Sequence, residues 1–242
     1  MSKLNQLGIT VGANNKAEVV FDSLFPSFLN VKYKKPSDYI STYWEAFQKH
    51  SEGNNNLNGK IFEYILATLC VRENILPLYM SAKVAFVPNV IYDLMFYTAE
   101  RGPICISAKT SLRERYKQAD LEAIALKYVH RKALSFLVTL EENEAKSVKA
   151  KIKSGDVIGL DNVVVATNNE FNELIEELKS YRFSEPPTVK VIESNQIITI
   201  DKVRALNNQR IWWHICKNPT GCNLSTTGLS LPTTSEWYLI FD

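Results

Sequence analysis

The sequence predicts an α/β fold, a mixed central sheet flanked by helices, on three observations. Apolar residues recur at helical spacing from Leu57 to Arg72. Three short β-rich segments follow, separated by Pro88-Asn89 and Arg101-Gly102-Pro103. Helical and β-rich segments then alternate as far as Tyr181.

The first fifty residues read as helical, over Lys16 to Phe25 and Ser37 to His50. Pro36 opens the second helix at the position where a missing N–H costs nothing. Polar residues Ser51 to Asn56 break the chain, and Asn58 is available to cap the next helix, where Ile61, Phe62, Ile65, Leu66 and Leu69 form the apolar face. Lys83 to Val87, Ile91 to Tyr97 and Ile104 to Lys109 are the expected strands, and their short turns imply an antiparallel meander. A helix is expected over Leu112 to Val129, a strand over Leu134 to Leu140, a charged helix over Glu141 to Lys153, a strand over Asn162 to Thr167 and a helix over Glu170 to Tyr181. Val189 to Ile200 alternates as a single strand should. Pro186-Pro187 is the only internal boundary, so the chain reads as one domain: a helical region over residues 1–56, a core over residues 57–184 and a β- and aromatic-rich region over residues 185–242. That last region carries Trp212, Trp213, Trp237 and Tyr238 with Arg204, Arg210 and Lys217, a mixture that suits base stacking, core or subunit contact equally.

Composition narrows the function classes. With 242 residues, 45% hydrophobic and 22% charged, the chain can bury a sizeable core, which argues against disorder. It lacks an apolar run long enough for a membrane span and a signal-peptide core, so a cytoplasmic protein is expected. Cys70, Cys105, Cys216 and Cys222 lack zinc-ribbon spacing and read as free thiols; His50, His130 and His214 form no cluster. The net charge of +2 is uneven: Arg101 to Gly155 carries +6, which suits an anionic partner or a solvated helix face.

Chemistry concentrates in the same stretch. Asp93 and Lys109 lie on neighbouring expected strands, where a hairpin brings them together, either as a reactive pair or as an ordinary cross-strand ion pair. Phosphodiester hydrolysis needs a divalent cation held by one or two carboxylates, and a lysine beside it can orient the attacking water.

Asp93 followed by Ser107-Ala108-Lys109 resembles the PD-(D/E)xK nuclease core, which has the same α, β, β, β, α, β order. Pro88 is not adjacent to Asp93, and Ser107 occupies the usual acid position, so the second carboxylate must lie elsewhere. The EcoRII and NgoMIV subgroup of restriction endonucleases makes that exchange, with a Glu twelve or thirteen residues past the lysine. Here twelve residues separate Lys109 from Glu122. The same subgroup carries an Arg-(Asp/Glu)-Arg triplet four residues after the lysine, where this chain has Arg113-Glu114-Arg115. The resemblance, over roughly Asn58 to Leu140, implies a type II restriction endonuclease that uses Mg2+ at Asp93 and Glu122. It implies that the triplet reads a CC:GG element; a Glu on the preceding helix often faces the site in this superfamily, which makes Glu63 a candidate, with an exposed, dipole-favourable helical Glu as the alternative.

Helical spacing agrees independently, because Arg115, Gln118 and Glu122 fall on one stripe, with Arg115 about 10 Å along the axis from Glu122. Arginine donates bidentately to guanine and a carboxylate accepts from cytosine, so the triplet has the hydrogen-bonding types a G and C tract presents. A solvated helix face with Arg–Glu pairing is the alternative, and Asp120 is a weaker alternative ligand. The expected partners are double-stranded DNA, a second copy of the chain and a host DNA methyltransferase. Two other readings stay open: a repair or recombination nuclease of low sequence preference, and a DNA-binding module without activity.

Overall fold

The computed structural model describes residues 2–12, 15–50, 54–186 and 191–207. His214, Cys216, Cys222 and the aromatic tail with Arg210 and Lys217 therefore lie outside the described residues. The N-terminal region starts each helix with a local polar contact. Ser2 caps helix α1 (Lys3–Leu7), which the sequence did not announce, and the Asn15 side chain accepts from the Ala17 and Glu18 N–H groups to start α2 (Lys16–Leu24). Helix α3 (Pro36–His50) opens on its proline as expected.

Helix α4 (Asn55–Arg72) begins two residues before its expected start. Its cap is Asn54, whose side chain accepts from Leu57 N–H at 2.9 Å, and not Asn58. From Ile61 to Val71 every residue of α4 is buried, including Glu63 and Thr68. A helix enclosed on all sides has a weak amphipathic stripe and must satisfy its polar groups internally. Thr68 does so with its own turn and with the Tyr39 hydroxyl at 3.0 Å.

Among the described residues the sheet has seven strands: β1 (Leu78–Val84), β2 (Tyr92–Thr98), β3 (Gly102–Lys109), β4 (Leu134–Thr139), β5 (Asn162–Val165), β6 (Ile192–Glu193) and β7 (Gln196–Ile198). Its order is β5-β4-β3-β2-β1-β6, with β7 also paired to β1. The β1-β2-β3 unit is the expected antiparallel meander, whereas β3, β4 and β5 run parallel. β1 starts five residues before its expected Lys83, because a strand buried on both faces shows little alternation to read. The single strand expected over Val189 to Ile200 is two short ones, parted where the Ser194 hydroxyl bonds the Met80 carbonyl, and the chain turns helical again at Ile200.

Helices α5 (Arg115–Val129), α6 (Glu142–Ser154) and α7 (Asn169–Ser180) complete the layers. α4 and α7 share the largest apolar cluster with Leu94, Phe96, Ile104, Ile106 and Ala108 of the sheet. On the opposite face, Leu112, Tyr116, Ala119 and Ala123 pack with Ala145 and Val148 of α6 against Leu137, Val163 and Val165. Cys70 and Cys105 are buried free thiols whose pKa values burial pushes up to about 12, so both stay protonated and inert. Among the described residues, no helix is long and apolar enough to cross a membrane.

The position of α5 is fixed by a close approach. Gly159 sits so tightly under the helix that a Cβ there would lie 2.4 Å from the Asp120 carbonyl oxygen and 2.7 Å from the Ile124 nitrogen. Asp120 secures the same contact by accepting from Gly159 N–H at 2.6 Å and Leu160 N–H at 3.2 Å. Gly159→Ala is accordingly expected to force α5 outward and cost about 1 to 3 kcal/mol, the range for overpacking. The denaturation midpoint of the variant measures this, and an unchanged midpoint would mean that the loop yields freely.

Candidate active site

Antiparallel register assembles the centre of the site. Pairing from Leu94↔Ile106 to Thr98↔Gly102 carries Asp93, at the start of β2, to the end of β3. There the Asp93 carboxylate accepts from Ala108 N–H at 2.8 Å and from Lys109 Nζ at 2.7 Å. The two side chains are only 17% and 19% exposed, so the pair is partly shielded from water yet open to a ligand. Ile104, Ile106 and Ala108 belong to the α4-side cluster, so strand alternation sends Ser107 and Lys109 to the other face, towards α5. Ser107 is buried there, two residues from Lys109.

Both strands are distorted beside Asp93. The register sets Ser81, with φ of +47°, opposite it; Met80 and Leu94 join the α4-side cluster, while Ala82 and Tyr92 join a cluster on the α5 side. Such a local kink re-aims side chains at a strand end.

α5 supplies the second carboxylate. The Tyr92 hydroxyl donates to the Glu122 carbonyl at 3.0 Å, tying the helix to the strand that bears Asp93. The Glu122 side chain accepts from Gln118 Nε2 at 2.7 Å. Burial raises the Glu122 carboxyl above its ordinary pKa and the Asp93 charge adds to this, against Gln118 and Lys109. Glu63 enters from α4. Burial is again the main cause of its raised pKa, followed by repulsion from Asp93, with Lys60 and Lys109 opposing. Glu63 and Glu122 thus both sense the Asp93–Lys109 pair from opposite sides of the sheet. Asp120, engaged by the Gly159 loop, is not among them.

The structure adds one residue that the sequence pattern left unmarked. Lys60 Nζ lies 2.7 Å from Glu63 Oε2 and places a second cation beside the site. Its spacing of three residues on a helix was the available signal.

The triplet differs from expectation in one respect. The helix was expected to start at Leu112, but it starts at Arg115; Glu114 takes the cap position and Arg113 has a φ of +36°. The Leu112 N–H is instead held by Glu144 Oε2 at 2.5 Å. All three triplet side chains are exposed, and Glu114 pairs with Lys117, not with either arginine. Among the described residues neither Arg113 nor Arg115 has an ion-pair partner.

The raised Glu63 pKa sets a pH dependence. A carboxyl that binds its proton more tightly when folded contributes stability that is complete below the unfolded pKa, near 4.3, and lost as pH rises through the folded value. Glu63→Gln removes that loss. The metal-free variant is therefore expected to unfold at a higher temperature than the parent at pH 7 to 8, and the two to converge near pH 4. Melting curves in chelator across this range test it; equal midpoints throughout would show that Lys60 already compensates Glu63 in full.

No family model matches the chain, and no curated protein matches it. A solved structure does: the restriction endonuclease PspGI in complex with substrate DNA is similar with a TM-score of 0.50 and 16% sequence identity, over 77% of this chain and 85% of that one. At that identity the likeness is one of fold, and the mixed sheet with its flanking helices is a restriction-endonuclease-like fold.

Proposed function

We propose that this chain is a type II restriction endonuclease that hydrolyses phosphodiester bonds of double-stranded DNA in a Mg2+-dependent reaction, at a site containing CC and GG. The observation that carries the reading is the 2.7 Å contact between Asp93 and Lys109 at the open end of the β2–β3 hairpin, with Glu63 and Glu122 close enough to feel its charge. The likeness to a nuclease solved with DNA supports the substrate class.

The donor chemistry fits Mg2+. Among the described residues no group of three or more His, Cys, Asp or Glu is assembled as a metal cage. Mg2+ needs no such cage, since one or two carboxylates and several waters suffice. Asp93 and Glu122 are the ligands that would hold it, with Glu63 as a third carboxylate. A cation bound there would supply polarisation of the phosphoryl oxygen and a lowered pKa for the attacking water. Lys109 would orient the attacking water and offset charge on the phosphate, while the Asp93 carboxylate, accepting from Ala108 N–H and Lys109 Nζ, fixes the lysine against its strand. Ser107 occupies the position that related motifs give to an acid, and Glu122 takes over the carboxylate function. Two copies of the chain would cut both strands of a two-fold site, and a host methyltransferase would protect it.

Asp93→Ala and Lys109→Ala are expected to abolish Mg2+-dependent cleavage of plasmid DNA with folding retained, Glu122→Ala to be severe and Ser107→Ala mild. Purified variants with chelator controls supply the measurement. Full cleavage by either of the first two refutes the site, and a severe Ser107 with a mild Glu122 reverses the ligand assignment. Discrete plasmid fragments are expected; a smear would point to a nuclease without sequence preference.

Arg113, Glu114 and Arg115 are proposed to read the bases, with Gln118 linking the reader to Glu122. A bidentate base contact is worth about 1 to 3 kcal/mol, so Arg115→Ala should weaken binding to the mapped target roughly tenfold to a hundredfold, and to a scrambled duplex far less. A parallel loss on both duplexes, with the salt slope lowered by about one unit, would identify a phosphate contact instead.

A further inference from the structure

The turn that leads into the catalytic strand places an aromatic ring where neither folding nor packing requires one. Val87 N–H bonds the Val84 carbonyl at 3.1 Å, closing a turn in which Phe86 has a φ of +64°. Glycine adopts that conformation without strain, and a bulky residue is a rare occupant. The ring gains no burial in return, being 84% exposed. Ile91, 55% exposed, stands on the return limb of the same loop. From Ala85 to Ile91 the loop carries no charged side chain, so nothing in it repels a phosphate. Strain held at a residue whose ring is buried against none of the described residues points to a partner outside them.

The position of the loop identifies that partner. It connects β1 to β2, and Ile91 is followed by Tyr92, which bonds the Glu122 carbonyl, and then by Asp93, which holds Lys109. On the proposed nuclease reading, which this inference presupposes, the scissile phosphate lies at Asp93. We propose that Phe86 is a DNA-contacting wedge that stacks against a base step flanking that phosphate. Aromatic side chains stack on any base, and apolar side chains inserted at a step unstack it and bend the duplex. The contact is apolar and releases no counterions, so it adds affinity without adding salt dependence.

The test uses the full chain in chelator, so that nothing is cut. It uses two fluorescent duplexes, one carrying the site mapped by plasmid cleavage and one of random sequence, each titrated over a salt series. Phe86→Ala is expected to weaken binding roughly fivefold to 150-fold, the range for losing one stacked base, at unchanged salt slope. Phe86→Tyr should restore it. Phe86→Gly relieves the backbone strain, so it should melt no lower than the parent and yet bind as weakly as Phe86→Ala. That combination excludes misfolding as the cause. Equal affinity of the parent and Phe86→Ala would overturn the wedge and leave the nuclease intact, provided that Mg2+-dependent cleavage persists. A parent that neither binds nor cleaves would overturn both. Sedimentation without DNA covers the other occupant: a parent dimer that Phe86→Ala converts to monomer would assign the ring to a second copy of the chain and overturn the DNA contact.

Discussion

A slip of one residue between β2 and β3 would send Asp93 and Lys109 to different faces, because side chains alternate with a period of two. The register that prevents this is set by apolar pairs, Leu94 with Ile106 and Phe96 with Ile104, all four fully or almost fully buried under α4. A slip would expose that whole set to the wrong layer. The polar pair at the open end of the hairpin is therefore positioned by the hydrophobic pairs below it, and its own 2.7 Å contact, partly exposed, adds only modestly to stability.

Around this hairpin the remaining groups arrive on rigid elements, each fixed by a specific contact. Glu122 comes on α5, which the Tyr92 hydroxyl and the Gly159 notch hold against the sheet. Glu63 comes on α4, enclosed on every side. Both carboxyls are held above their ordinary pKa, first by burial and then by repulsion from Asp93, against Lys60 and Lys109 beside Glu63 and against Gln118 and Lys109 beside Glu122.

The sequence disclosed the order of elements because that order rests on local signals: helical periodicity, short turns and capping residues. It also disclosed Asp93 and Lys109 as strand neighbours, since a short turn constrains where two adjacent strands meet. It misjudged elements whose ends depend on tertiary contacts. β1 is buried on both faces and its start left no alternating pattern; the expected first turn of α5 is a separate tight turn in which Arg115 N–H bonds the Leu112 carbonyl at 2.5 Å, while Glu144, thirty-two residues away, holds the Leu112 N–H. Asp120 read as a spare acid because its two N–H partners, Gly159 and Leu160, lie about forty residues on. Lys60 carried a legible helical spacing to Glu63, but only the fold shows that this turn lies within reach of the Asp93 charge.

The change of direction within the sheet divides the assembly of the site in time. β1, β2 and β3 are joined by short turns and pair antiparallel, so the Asp93–Lys109 contact closes only a small loop of chain. β4 pairs parallel to β3 and must wait for the crossover through α5. Local pairings of this kind form sooner than distant ones. The hairpin should then exist before Glu122 reaches it, and the helix that delivers Glu122 would dock onto a template already carrying its lysine.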